Sequence, residues 1–316
     1  GAEIIMEGAY YNGQYLNRLE RLGYSQAEID NKLESTFEEM FYGPEGVRLC
    51  HCAGPDMMYI EDTGNHDVRT EGMSYAMMFC VQMNRQKEFD CLWRWVVTHM
   101  YLTEGENAGY FAWSCHTDGS KNSDGPAPDG EEFFAMSLFF AANRWGSGEG
   151  VLDYASWARR ILHACVHKGE EAGSGFPMWN PENHLIKFIP NCEFTDPSYH
   201  LPHFYELFAL WSDECDRPFW HAAAAASRQY LRKACHARTG LSAEYAEYDG
   251  RPHRGDQPDR HDWFFSDAYR TLGNIALDAQ WFGDKDGWAQ ETAAHIQQFF
   301  EEKEHGQTNG IYLIDG

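Results

Sequence analysis

The chain has 316 residues, 43% of them hydrophobic and 23% charged, with a mean hydropathy of −0.59, the profile of a globular protein. Its 49 acidic against 25 basic residues give a net charge of −24 with no basic stripe, a surface that repels phosphate backbones and excludes nucleic acid as a partner. No run of about 18 apolar residues occurs, so nothing in the sequence spans a membrane.

From the N-terminus, GAEIIMEGAYYNG lacks a basic region followed by an apolar core, and no secretory signal is visible. A first helix is expected over SQAEIDNKLESTFEEMFYG (25–43). Cys50-His51-Cys52 could open a zinc site, but no second ligand pair follows at usable spacing. The nine cysteines are odd in number and follow no framework spacing. Several lie in apolar helical patterns, where a free thiol acts as a small hydrophobe, so a reduced, cytoplasmic setting is expected.

From residue 71 onward two kinds of helix alternate. EGMSYAMMFCVQM (71–83), EEFFAMSLFFAANRW (131–145), PSYHLPHFYELFALW (197–211) and FSDAYRTLGNIALDAQWF (265–282) are apolar nearly all round, as buried helices are. KEFDCLWRWVVTHM (87–100), LDYASWARRILHACV (152–166), RPFWHAAAAASRQYLRKAC (217–235) and GWAQETAAHIQQFFEE (287–302) have one apolar stripe and one charged face. The buried helices start at intervals of roughly 60 to 68 residues, a repeating helical hairpin in pattern though not in sequence identity. The pattern predicts an all-α, two-layer toroid of hairpins, a single domain over 1–316 without a linker. The long connections GYFAWSCHTDGSKNSDGPAPDG (109–130) and GSGFPMWNPENHLIKFIPNCEFTDPSY (173–199) lead into buried helices at their N-termini, and loops of this length are usually functional.

Each buried helix presents an acid at or near its start: Glu71, Asp129, Asp196 and Asp267. Any one of them reads most simply as a cap or a first-turn charge favoured by the helix dipole. Four together, each fed by an aromatic-bearing loop, suggest a funnel of carboxylates and aromatics suited to glycosidic bonds. That chemistry needs one protonated carboxyl to protonate the leaving oxygen and one carboxylate to activate water or attack carbon. The 15% aromatic content, with 11 Trp and 17 Tyr, suits stacking against neutral sugars, with Trp113 and Trp179 as possible platforms, although aromatic cores are common too.

The stretches DTGNHDVRTEGMSYAMM, GYFAW, PAPDGEE, DPSYHLPHFYELFA and FSDAYR…NIALDAQWFG resemble glycoside hydrolase family 8, in the family's order and over nearly the whole chain. Within it the resemblance is nearest to members that release xylose from the reducing end of xylo-oligosaccharides. It implies an (α/α)6 barrel and inverting hydrolysis of β-1,4-linked xylo-oligosaccharides; because two carboxylates suffice for that chemistry and no ligand set in the sequence is convincing, no metal or cofactor is expected. Carried over, Glu71 matches the general acid and Asp267 the general base. Asp129 matches the acid that grips the sugar at the cleavage subsite, and Tyr199 the tyrosine that helps position the water. Trp113 resembles a stacking platform and Arg270 the arginine beside the base; Arg69 and Trp179 are looser matches. In an inverting enzyme the two carboxyls lie roughly 6.5–9.5 Å apart. The chain stops at GIYLIDG, before the family's last helical hairpin, so the barrel is expected to be incomplete at its C-terminal end.

Other signals are weaker. His163 and His167 are spaced i,i+4 on an amphipathic helix but lack the glutamate of the zinc-protease signature. His200 and His203 fit hydrogen-bonded core or cleft-lining positions. Asp118, Ser120, Asn122, Asp124 and Asp129 echo a calcium loop, with Ser123 where the central glycine belongs. An endo-acting xylanase of the same family, or a catalytically impaired sugar-binding barrel, remain the alternatives.

Overall fold

The computed structural model describes residues 6–255, 260–305 and 310–316. The chain builds two compact units, one of Gly1–Leu16 with Pro177–Gly316 and one of Asn17–Phe176. Strand β1 (Met6–Glu7) and the single turn α1 (Ala9–Asn12) belong to the first unit, to which the chain returns at Pro177.

The Asn17–Phe176 unit begins with α2 (Arg18–Arg21) and α3 (Gln26–Tyr42). Ser25 and Glu28 close a capping box on α3, satisfying two helix-end N–H groups reciprocally. The short strands β2 (Cys50–Cys52) and β3 (Met58–Ile60) pair antiparallel, and β4 (Val68–Arg69) leads directly into α4 (Thr70–Gln82). Helix α5 (Gln86–Trp95) continues as a π turn over Val96–Met100. After β5 (Ser114–Cys115) come α6 (Pro128–Trp145) and α7 (Tyr154–His167). Pro128 takes the first helical position, where its missing N–H costs nothing, and Asp153 caps α7 through the Ser156 N–H. Helix α4 packs on α5 and α6, and α6 on α4 and α7. This is the expected alternation of buried and amphipathic helices. Between them lie Trp93, Trp95, Phe89, Phe111, Phe134 and Phe139, all fully buried; each such side chain stabilises by about 1.5–3 kcal/mol.

The other unit contains α8 (Pro202–Trp211), α9 (Arg217–Ala234), α10 (Arg270–Phe282), β6 (Gly283–Asp284) and α11 (Trp288–Glu304). Strand β1 pairs antiparallel with β6, while α8 packs on α9 and α10 on α8 and α11. Trp179, Trp220, Tyr205 and Phe208 form an edge-to-face aromatic core. Two expectations are corrected here. The stretch from 197 is not one helix: a 3-10 turn (Pro197–Tyr199) precedes α8, which starts only at Pro202. Proline excludes its predecessor from helical backbone, and Leu201 sits at φ −125, ψ 66. The stretch from 265 likewise opens as a 3-10 turn (Ser266–Tyr269) before α10, and α10 is not buried all round. Only its Thr271, Ile275 and Ala279 are buried; Thr271, Leu272 and Ile275 line a cavity of about 740 Å³ together with Ile296 and Phe300 of α11. Among the described residues no helix is long and apolar enough to cross a membrane.

Candidate active site

In the Asn17–Phe176 unit the candidate acid is delivered by a strand pair. β4 and β5 match Val68 with Cys115 and Arg69 with Ser114, and the Thr70 N–H donates to the Trp113 carbonyl at 3.0 Å. This brings Arg69, Glu71 and Trp113 to one edge. Glu71 lies inside the first turn of α4, beyond the Arg69 N-cap, so it is not itself the cap. Arg69 is held by a relay: Asn122 Nδ2 donates to Ser114 Oγ at 2.9 Å, Ser114 Oγ to Asp67 Oδ2 at 3.0 Å, and Arg69 Nε to Asp67 Oδ1 at 3.0 Å. Burial opposes the guanidinium's charge, but the hydrogen bond and charge of Asp67, with Asp62 and Glu71 nearby, raise its pKa above the ordinary value. The same guanidinium lies 5.2 Å from the centre of the Trp113 ring, which is 37% exposed.

Asp129 is buried in the first turn of α6. Its neighbour Gly130 shows how closely the first turns of α4 and α6 approach: a Cβ there would lie 2.5 Å from Thr70 Oγ1. Only glycine fits, and the contact sets Glu71 and Asp129 on adjoining helix starts. One turn position on, Glu131 is fully buried, with Oε1 accepting the Phe111 N–H at 2.9 Å and Oε2 without a hydrogen-bond partner. Burial pushes its carboxyl up to about 8.

In the other unit the acids stand on turns rather than in long helices. Asp196 caps the Pro197–Tyr199 turn, accepting from the Ser198 N–H at 2.8 Å and the Ser198 hydroxyl at 2.7 Å. It is thus the one of the four acids that is a structural cap. It is buried, and burial first, then the charges of Asp267 and Glu244, raises its carboxyl well above the usual range. Tyr199, at the end of that turn, is held through its carbonyl by the Tyr205 hydroxyl at 3.1 Å. The turn packs against the Ser266–Tyr269 turn, and Asn274 of α10 donates to the Ser198 carbonyl at 2.8 Å. Asp267 on this second turn pairs with Arg270, Nη2 to Oδ1, at 3.2 Å. Its predecessor Ser266 has a φ of +48, a left-handed conformation that costs a non-glycine residue about 1–3 kcal/mol.

The model of the family described as "Glycosyl hydrolases family 8" matches residues 24–312. The chain belongs to that family. It is 54% identical over 311 residues to a reducing end xylose-releasing exo-oligoxylanase of Halalkalibacterium halodurans, covering 98% of this chain and 79% of that protein. It is 56% identical over 303 residues to the reducing-end xylose-releasing exo-oligoxylanase Rex8A of Paenibacillus barcinonensis, covering 95% and 78%. The solved structure of Rex8A complexed with xylose matches with a TM-score of 0.94 at 54% identity, over 98% of this chain and 81% of that one. The chain is therefore a glycoside hydrolase with the family's all-α, (α/α)6 class of fold, the all-α class being what its helical repeat predicts and the (α/α)6 barrel what the resemblance implies.

For a family 8 hydrolase the structure sorts the remaining candidates. Trp179 is corrected: it is 1% exposed and packed edge-to-face on Trp220 at 4.9 Å and Tyr205 at 5.6 Å, so it offers core packing and no open face for a sugar. His200 is a core residue, its Nε2 2.8 Å from Thr195 Oγ1 and its Nδ1 2.8 Å from Ser227 Oγ; burial lowers its pKa to about 3. His203 is buried likewise, with the same consequence. His163 and His167 lie side by side on α7, ring centres 4.5 Å apart, with His167 Nδ1 2.7 Å from Glu170. Cys50 and Cys52 fall on β2, where burial pushes the Cys50 thiol up to about 12, and His51 lies 3.1 Å from Glu61. In the calcium-like loop the Asp118 carboxylate accepts the Ser120 N–H and hydroxyl, and the Asn122 amide is turned to Ser114. Sequence reasoning missed the Asn122–Ser114–Asp67 relay and Glu244. None of these residues lies at the start of a buried helix, where the candidate carboxylates were sought, and Asn122 was read only as part of a calcium-like loop.

Proposed function

We propose that this chain hydrolyses β-1,4-linked xylo-oligosaccharides, releasing xylose from the reducing end with inversion at the anomeric carbon. The observation that carries the reading is the 54–56% identity, over nearly the whole chain, to three exo-oligoxylanases named for that activity. In this reading Glu71 gives its proton to the glycosidic oxygen as the C1–O bond breaks. Asp267 takes a proton from the water whose oxygen bonds to C1, and Tyr199 orients that water. The Arg270 guanidinium at 3.2 Å favours the ionised form that a base requires. Asp129 holds the sugar at the cleavage subsite, while the Trp113 face and Arg69 bind it from the β4–β5 edge. Two carboxyl groups suffice for this chemistry, so no metal or cofactor has a role.

Xylotetraose labelled at its reducing-end sugar tests the exo assignment. The label should appear first in free xylose. Label appearing first in xylobiose would mean endo action, and no release above buffer would mean a sugar-binding barrel without turnover. The nine cysteines are all free thiols, six of them buried, which supports a reducing, cytoplasmic setting. Thiol counting in denaturant without reductant should find most of the nine; four disulfides would contradict that setting.

A further inference from the structure

The backbone that carries Asp267 needs support, because Ser266 holds a left-handed φ that a serine leaves unless its neighbours over-determine it. The support comes from Glu244. Its carboxylate interacts with the Ser266 side chain and lies, through Oε2, 2.7 Å from His261 Nδ1. Glu244 is only 5% exposed, although it belongs to no helix or strand. The His261 ring is itself stacked on Tyr245, centres 4.3 Å apart and planes 15° apart. Two backbone hydrogen bonds lock the segments together: Glu244 N–H to the Trp263 carbonyl at 2.9 Å, and Tyr245 N–H to the His261 carbonyl at 2.7 Å. A nearly buried carboxylate, fixed at its root by backbone and at its tip by histidine, thus reaches forward to the residue before the base.

We infer that Glu244 is a positioning residue for hydrolysis: clamped by His261, it fixes the Ser266 turn and so the direction of the Asp267 carboxylate. The inference rests on the reading of Asp267 as the base. The arrangement also has an electrostatic side. The charged and titratable groups around the Glu244 carboxylate are His261, Asp267 and Asp196. Burial first, and Asp267 among its charged neighbours, raises the Glu244 carboxyl, while the His261 hydrogen bond opposes the rise. By the same mutual repulsion, an ionised Glu244 makes its neighbour hold a proton more tightly, which strengthens a base.

The test is steady-state kinetics on xylotriose with pH profiles for Glu244→Gln and Ser266→Ala, alongside Asp267→Asn. Glu244→Gln keeps an acceptor for Ser266 but removes the charge. Its kcat should fall about tenfold with KM within twofold, and the acidic limb of its kcat profile should move to lower pH. Ser266→Ala, at an exposed position, leaves the core intact; its kcat should fall about tenfold at unchanged KM, since small misplacements of a reacting group cost factors of this size. Full kcat in Ser266→Ala overturns the inference. So does an unmoved acidic limb in Glu244→Gln, or activity lost only in proportion to protein unfolded. Should Glu244→Gln fail to fold, Ser266→Ala decides alone. Full activity in Asp267→Asn would instead overturn the base assignment itself, a failure distinct from either of these.

Discussion

The two units hold their carboxylates by different physical means. In Asn17–Phe176, Glu71 and Asp129 ride in the first turns of two long helices, α4 and α6, which touch where Gly130 meets Thr70. The hydrogen-bonded helix fixes the backbone there, and the helix dipole favours a negative charge. In Pro177–Gly316, Asp196 and Asp267 stand on 3-10 turns ahead of α8 and α10, one turn stacked on the other. Short turns define direction poorly, and this half accordingly spends a cap, a left-handed serine and a buried glutamate on the task. A helix start can present an acid largely by itself, whereas a turn needs a second layer of polar side chains to do so. Mutations away from the carboxylates should therefore act through packing in the first half and through polar contacts in the second.

The largest effect falls on the carboxylates themselves. Glu71→Gln and Asp267→Asn should each lower kcat by 10²–10⁴-fold, as losses of a general acid or base do, while xylo-oligosaccharide binding by calorimetry persists. Equal activity in either variant would overturn the role proposed for that carboxyl. Next come the two tryptophans. Trp179→Ala should cost about 3–5 kcal/mol of stability in urea unfolding, because it empties an aromatic core. Trp113→Ala should leave stability unchanged and weaken sugar binding by about 1 kcal/mol. The reverse result would exchange their roles.

Glu131 sharpens the comparison through pH. Its buried carboxyl keeps its proton up to about pH 8, whereas in the unfolded chain it ionises near its usual value of about 4.3. The native state therefore binds more protons across that window, and stability falls as pH rises through it, by about 3 kcal/mol between pH 4.5 and 7. Below pH 4 the group contributes no slope. Unfolding curves of Glu131→Gln should be flatter with pH; an unchanged slope would place the dependence elsewhere. Gly130→Ala should cost about 1–3 kcal/mol of stability from overpacking against Thr70, with kcat lowered because the starts of α4 and α6 are pushed apart. Wild-type stability and activity there would mean the contact yields easily.

Helix periodicity was enough to find the elements, since α4, α6, α7, α9 and α11 begin and end within about three residues of their apolar patterns. The starts of α8 and α10 were misplaced because periodicity cannot tell a 3-10 turn from an α-helical one; Pro202 was the available signal at the first. Acids at helix starts were visible, but not which of them was a cap, since that depends on where the Asp196 side chain turns. Trp113 and Trp179 look alike in sequence and part only on burial. Glu244 and the Asp67 relay could not be found at all: their roles rest on contacts such as Glu244 with His261, 17 positions apart, and Asp67 with Ser114, 47 positions apart.

The central proposal is that Glu71 protonates the leaving glycosidic oxygen while Asp267 takes a proton from the attacking water, without a covalent intermediate. Proton NMR of xylotriose hydrolysis, recorded within the first minutes and before mutarotation, tests it most directly. The hemiacetal newly formed at the cut β-linkage should appear as the α-anomer, inverted. If the β-anomer appears first, hydrolysis proceeds with retention through a covalent glycosyl-enzyme, and Asp267 is not the base.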